Sequence, residues 1–189
     1  MESKAMRLVF GESLVELADR YPEMVVLDAD VSSSTQTKLF GAQYPERFFN
    51  FGVAEANMVS AAAGMAACGL TPVASTFAFL LALRAGDAVR SLVAYNELNV
   101  KLAGGYAGLS DFADGASHQS VSDIAVMQAI PNITIIVPSD ITSTRWATEA
   151  MLAHRGPVFL RLSREAVDRD YPPGLDLTIG RGVVVHDGE

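Results

Sequence analysis

A single cysteine, Cys68, is present in the 189 residues, which excludes an internal disulfide framework and makes a reducing, cytoplasmic setting the natural reading. Basic residues are scarce: 14 Lys and Arg face 22 Asp and Glu, for a net charge of -8 with no basic tract. That balance argues against nucleic acid and against an anionic membrane as partners. Long apolar runs are also missing, because the Ala-rich stretches are broken by Gly, Pro and polar residues, and no membrane span is expected. The first residues mix acid and base without an apolar segment, so no signal peptide is expected. Neither a Walker loop nor a Gly-x-Gly-x-x-Gly helix start occurs, which excludes the usual independent nucleotide sites. A Gly-x-Ser-x-Gly elbow is absent as well, which weakens a hydrolase reading of Ser110, Ser117 or Ser120 with His118 and Asp114.

What is present suits one domain. Hydrophobic residues make up 50% of the chain, enough for a sizeable core, with a surplus that points to a buried interface. Helical and strand patterns alternate. Met6 to Arg20 carries an apolar stripe at helical spacing, and Met24 to Leu27 is a short buried-strand run followed by the polar loop Asp28 to Ser34. Strands are expected again at Phe48–Phe51, Pro72–Ser75, Val100–Ala103, Ile133–Val137 and Pro157–Leu162. Helices are expected at Ala54–Cys68, Phe79–Ala94 and Val121–Ala129, and from a Ser139-Asp140 cap to Ala153. This alternation predicts an α/β fold: a parallel sheet of about six strands with helices on both faces, and ligand loops at the carboxyl ends of strands. Residues 1–165 form the expected domain; 166–189, rich in Pro, Gly and Asp with a strand-like run at 182–185, read as a tail or linker.

The most telling stretch is Asn50 to Met58, which places Glu55 directly after a short apolar strand and at the start of an Ala/Gly-rich helix. That helix is almost uncharged after Glu55, so it is expected to be buried, with Cys68 a small core residue. A carboxylate entering such a region suffers a large desolvation penalty and requires a polar partner or a proton. The plainer alternative is a helix-start glutamate favoured by the helix dipole.

The run Phe51-Gly52-Val53-Ala54-Glu55-Ala56-Asn57-Met58, followed by Ala62-Ala63-Gly64-Met65-Ala66, resembles the glutamate motif of the transketolase family, within the pyrimidine-binding domain of thiamine-diphosphate enzymes. The resemblance extends over about Met6 to Arg164. It implies that Glu55 hydrogen-bonds the aminopyrimidine ring of thiamine diphosphate and favours the imino tautomer that lets the cofactor remove its own thiazolium proton. The loop Asp111 to Gln119 resembles the family's Asp-Gly-x-Thr/Ser-His-Gln loop, which implies that His118, with Asp114 beside it, assists proton transfer. For His118 the plainer alternative is a loop-ordering histidine bonded to backbone.

Arg164 in Leu162-Ser163-Arg164, together with Ser34 and Arg7, stands at the family's phosphate-binding places, where guanidinium groups suit phosphate oxygens. Phe77 matches an aromatic shelf under the pyrimidine; Leu80 and Leu83 stand where relatives carry aromatics, and Phe79 is read as shelf or core. Tyr106 replaces a substrate-contacting histidine of many transketolases, and Asp30 matches a position close to the cofactor. Asp28 and Asp30 read as loop carboxylates, and no protein metal site is expected.

The family's Gly-Asp-Gly motif with its following asparagines does not occur. The resemblance therefore implies half an active site, with Mg2+ or another divalent ion and the diphosphate held by a partner subunit or domain. It implies a split transketolase acting on sugar phosphates, assembled as a homodimer or heterotetramer. The alternatives are a deoxyxylulose-phosphate synthase-like or 2-oxo-acid-acting enzyme, or a non-catalytic scaffold of the same fold.

Overall fold

The computed structural model describes residues 3–168, 171, 175–181, 183, 184 and 188. The chain opens with β1 (Lys4–Ala5), α1 (Met6–Leu17), β2 (Met24–Asp28), α2 (Ser32–Thr35) and α3 (Lys38–Gln43). Next come β3 (Phe48–Asn50), α4 (Glu55–Ala67) and β4 (Thr71–Phe77). A broken helical stretch follows: π-helical Leu80–Arg84, α5 (Gly86–Ala88) and π-helical Val89–Ala94. The chain then forms β5 (Lys101–Gly105), α6 (Asp123–Gln128), β6 (Thr134–Ile136), α7 (Ile141–Ala153), β7 (Val158–Arg161) and β8 (Ala166–Val167).

Six strands form one parallel sheet in the order β3-β2-β4-β5-β7-β6. Strand alternation divides the core in two, because successive side chains point to opposite faces. Val25 and Leu27 of β2 pack with Met58, Val59 and Ala62 of α4 and with Leu81 and Val89. Met24 and Val26 face the other way, onto Phe10 and Leu14 of α1, Phe40 of α3 and Met151 of α7. Helices therefore cover both faces, as the sequence pattern predicts. Asp28 pairs in register with Asn50 and with Ser75, and Phe77 with Gly105, so the carboxyl ends of these strands lie level along one edge.

The expected cap of α7 is present as a capping box: the Asp140 side chain accepts from the Ser143 N–H at 2.6 Å, and Ser143 Oγ accepts from the Asp140 N–H at 3.0 Å. Several expectations require correction. The loop after β2 contains α2, and α3 follows it; the expected helix Phe79–Ala94 is π-helical over two stretches. Helix α4 buries one face only, and Cys68 at its end is exposed, because the helical period turns Asn57, Gly64 and Cys68 away from the face that holds Met58 and Ala62. Antiparallel β1 and β8 tie the start of the tail to the start of the domain. Residues 182 and 185 of the strand-like run lie outside the described residues, and Val183 and Val184 are in no strand.

At the opposite edge of the sheet, Lys101 is wholly buried. Its ammonium donates to Asn99 Oδ1 at 2.7 Å, to the His154 carbonyl at 2.6 Å and to the Gly156 carbonyl at 2.8 Å, which joins β5 to the turn between α7 and β7. All three acceptors are neutral, and burial pushes Lys101 down to about 7. Burial also pushes His154 down, with the Lys101 charge acting in the same direction.

Gly104 of β5 is a close-approach position: a Cβ there would lie 2.8 Å from a ring carbon of Phe159 and 3.0 Å from the Ala78 Cα. Replacing Gly104 with Ala is expected to cost about 1–3 kcal/mol, read as a lowered urea midpoint, because the Ala78 backbone must move. The depressed Lys101 fixes a sign for pH. Between about pH 7 and 10.5 the unfolded chain binds the proton that the folded chain releases, so stability rises with pH across that window, by at most about 1.4 kcal/mol per unit. Denaturant midpoints of the wild type and of Lys101→Met at pH 7.5 and 9.5 check this: the rise should be smaller in the variant.

Candidate functional site

The loop after β2 is built around Asp28. Its buried carboxylate accepts from the Val31 N–H at 2.7 Å, Thr35 Oγ1 at 3.0 Å and Thr37 Oγ1 at 2.8 Å, and burial pushes it up from the ordinary carboxylate range. These bonds wind Ser32–Thr35 into a single turn and so place Ser34, whose carbonyl accepts from Arg7 Nη1 at 3.1 Å. Asp30 has a φ of 65°, is exposed, and exchanges two bonds with Asn50 at the end of β3, at 3.1 and 3.0 Å.

Glu55 begins α4 with its side chain 1% exposed. Its recorded partner is Arg84, with Nη1 at 3.4 and 3.3 Å from the two carboxylate oxygens. Arg84 ends the π-helical Leu80–Arg84 and is 57% exposed. The sequence-level demand for a polar partner is met, by a cation the sequence did not single out. Its signal was there: Arg84 is the one charge between Phe77 and Ala85.

The aromatic shelf forms on the next two strand ends. Phe77, Leu80 and Tyr106 make a small apolar cluster, with Phe79 and Val31 against it. The rings of Phe77 and Tyr106 lie 4.5 Å apart, and those of Phe77 and Phe79 6.4 Å. His118 presents to both phenylalanines at 5.8 Å, edge-on, and its Nδ1 lies 3.0 Å from Ser117 Oγ. Phe79 therefore belongs with His118, and Leu80 fills the shelf by apolar packing. Leu83 points away, 59% exposed.

The loop from Tyr106 to Ser120 closes on itself, Gly108 and Ser120 exchanging backbone bonds at 2.9 Å. Arg161 holds it from β7: Nε donates to Asp123 Oδ2 at 2.6 Å and Nη2 to the Ser120 carbonyl at 3.4 Å, with the Asp123 side chain 1% exposed. Sequence reasoning assigned no role to either residue; they lie 38 positions apart and meet only in the fold. Tyr106 has a φ of 59°, a left-handed conformation rare for a bulky side chain.

Two guanidiniums flank the Tyr106 ring. Arg7 is 5.7 Å from its centroid and donates to its hydroxyl at 3.0 Å; Arg164 is 5.3 Å from the same centroid and 5.9 Å from that of Phe112. Arg164 also pairs with Asp111 at 2.9 Å, and its N–H donates to Ser110 Oγ at 3.0 Å. Asp111 is wholly buried, and its Oδ2 has no hydrogen-bond partner among the described residues. Burial and the neighbouring Asp114 push Asp111 up, against the pull of Arg164. Asp114 is exposed and lies beside Asp111; no hydrogen bond joins it to His118 among the described residues.

The structure thus brings Arg7, Ser34, Tyr106 and Arg164 together, and places Phe77, Leu80 and His118 around one shelf. Hollows lie elsewhere, among them one of about 200 Å3 beside Pro138, Trp146 and Tyr171 and one of about 510 Å3 beside Glu97, His154 and Arg155. Among the described residues no helix is long and apolar enough to cross a membrane.

Residues 2–169 match the model of the transketolase pyrimidine-binding domain. A protein of Methanocaldococcus jannaschii named as a transketolase C-terminal section is 45% identical over 188 residues, which cover 98% of this chain and 60% of that protein. A 6-deoxy-6-sulfo-D-fructose transketolase subunit of a Clostridium species is 36% identical, over 100% of this chain and 58% of its own length. The solved structure of a split-gene transketolase, an inactive beta4 tetramer, superposes with a TM-score of 0.87 at 41% identity, covering 99% of this chain and 60% of that one. The chain thus spans about three fifths of the length of these relatives. On its sequence, its six-stranded parallel sheet and this match along almost its whole length, the chain belongs to the transketolase family, as a pyrimidine-binding domain.

Proposed function

We propose that this chain supplies the pyrimidine half of a thiamine-diphosphate-dependent transketolase, moving a ketol unit between sugars with anionic tails, for which the family resemblance implies sugar phosphates. The observation that carries the reading is Glu55: a carboxylate 1% exposed, at the carboxyl edge of a parallel sheet, its recorded partner a half-exposed arginine at 3.3–3.4 Å. A structural carboxylate so buried is normally saturated with hydrogen bonds. One held, among the described residues, by a single long contact is poised to exchange that partner for a ligand group.

The residues present fit an aminopyrimidine ring. Glu55 offers the carboxyl group for a ring nitrogen, and Phe77, Leu80 and Tyr106 offer an apolar surface for its face. Asp30 stands at the adjoining edge, on Asn50. When bound, thiamine diphosphate supplies the nucleophilic carbon that accepts the ketol unit. Glu55 would hold the ring by a hydrogen bond from its carboxyl group, and His118, edge-on to Phe77 and Phe79, would move protons at the substrate hydroxyls. Asp114 acts on His118 at most from the loop rim, since it lies beside Asp111. Arg7, Arg164, Tyr106 and the turn at Ser34 hold the substrate's far end.

The reading includes a partner. Val53, Leu83, Leu109, Phe112 and Val121 are large apolar side chains more than half exposed, on or beside loops at the same edge as Glu55. An apolar rim of that kind fits a docked diphosphate-binding subunit or domain, which holds the divalent ion, in a homodimer or heterotetramer. Residues 1–165 act as the pyrimidine-binding domain, with 166–189 a tail or linker, in a cytoplasmic enzyme.

Replacing Glu55 with Gln in the complex with the diphosphate-binding partner is expected to lower turnover by about 10²–10⁴-fold while assembly is retained, read by steady-state kinetics and size-exclusion chromatography. Unchanged turnover would remove Glu55 from the reaction and favour the scaffold alternative. Breaking the clamp with Asp123→Asn leaves Arg161 without its charge partner; it is expected to destabilise the fold by about 3–5 kcal/mol and to speed amide exchange at Gly108 and Ser120.

A further inference from the structure

We propose that Asp111 sets the charge of the substrate tail this site accepts, tuning it to a singly charged group such as a sulfonate or carboxylate in preference to a phosphate dianion. The inference rests on the reading that Arg7 and Arg164 hold the substrate's far end. Both guanidiniums lie against Tyr106, at 5.7 and 5.3 Å from its ring centroid, so the tail would meet both. They are not equally free. Arg164 is pinned at 2.9 Å to a carboxylate with no solvent exposure, and Asp114 lies beside that carboxylate.

Even where the two aspartates share one proton, the pair carries one negative charge against two guanidiniums. The cluster then presents no more than a single net positive charge. Tyr106 adds a hydroxyl, already accepting from Arg7 at 3.0 Å, and no charge. A monoanion is matched by such a site. A dianion would leave one charge uncompensated at short range from the buried Asp111, which no counter-ion can reach. The Phe112 ring lies 5.9 Å from the same guanidinium, and the Asp111 carboxylate beneath it has no solvent exposure, so the pair is only partly screened.

Oδ2 of Asp111 has no hydrogen-bond partner among the described residues, whereas Asp28 and Asp123 are bonded through both oxygens. Besides its bonds with Asp114 in the same loop, Asp111 is paired with Arg164, and its negative charge acts on that cation.

The test is a titration of the 189-residue chain at pH 8, followed by the side-chain Nε–H signals of Arg7 and Arg164. The probes are methanesulfonate, a monoanion, and methyl phosphate, a dianion above its second pKa of about 6. The wild type is expected to bind methanesulfonate at least as tightly as methyl phosphate. In Asp111→Asn the balance should move toward methyl phosphate by about tenfold. A wild type that prefers methyl phosphate by more than about threefold overturns the proposal, as does an unchanged ratio in the variant or no response of either arginine to either anion. The wild-type comparison needs no variant, so a misfolded Asp111→Asn leaves it decisive. A complex that turns over no ketose while the anion ratios hold would fault the proposed reaction and leave the charge reading standing.

Discussion

A parallel sheet cannot be joined by tight turns; each strand must be reached by a crossover that packs on one face. That constraint organises this molecule. Because the strands of the main sheet all point the same way, the connections that leave them emerge at one edge. Residues from five separate segments (Ser34 after β2, Glu55 after β3, Phe77 at the end of β4, Tyr106 after β5 and Arg164 after β7) therefore come to one edge of the sheet without any being close in sequence. Glycine at position 104 refines the arrangement, since the Ala78 backbone and the Phe159 ring approach β5 where a side chain would stand.

The buried charges divide into two kinds, and the division follows the edge. Lys101, at the far edge, spends its three protons on three acceptors. Asp28 receives three donors and Asp123 is gripped by Arg161 through both oxygens. These groups bind strand to loop, and their hydrogen bonds offset part of the desolvation, since burial still pushes Asp28 up and Lys101 down. Glu55 and Asp111 are as deeply buried yet under-bonded, one on a long contact to Arg84, the other with an oxygen unmatched. Unmet bonding capacity among these groups thus lies at the carboxyl edge, where the proposed ligand and partner would bind.

Much of this was legible beforehand. The continuous apolar runs announced β2 and β4, the Ser139-Asp140 pair announced the start of α7, and the lone carboxylate at the head of an uncharged helix announced Glu55. Other features were not legible, for physical reasons. The turn at Ser32–Thr35 owes its existence to hydrogen bonds from Asp28, not to helix propensity. A π-helical turn keeps the apolar spacing of an α-helix closely enough that periodicity cannot tell them apart. Cys68 looked like core because its neighbours are apolar, but composition does not say which face of a helix turns inward.

The sequence by itself determined the class of fold and the chemical type of the central group, because both follow from local pattern: strand and helix periods, and one acid where apolar residues surround it. Only the tertiary structure decided which groups meet. Arg84 reaches Glu55 across 29 positions, Arg164 reaches Asp111 across 53, and Arg7 reaches Tyr106 across 99. Such pairings depend on strand order and on the rotation of each helix, which are settled by the packing of the whole core and by no single segment. The charge that a substrate would meet is a sum over those pairings, and it exists only once the sheet has brought them to a common edge.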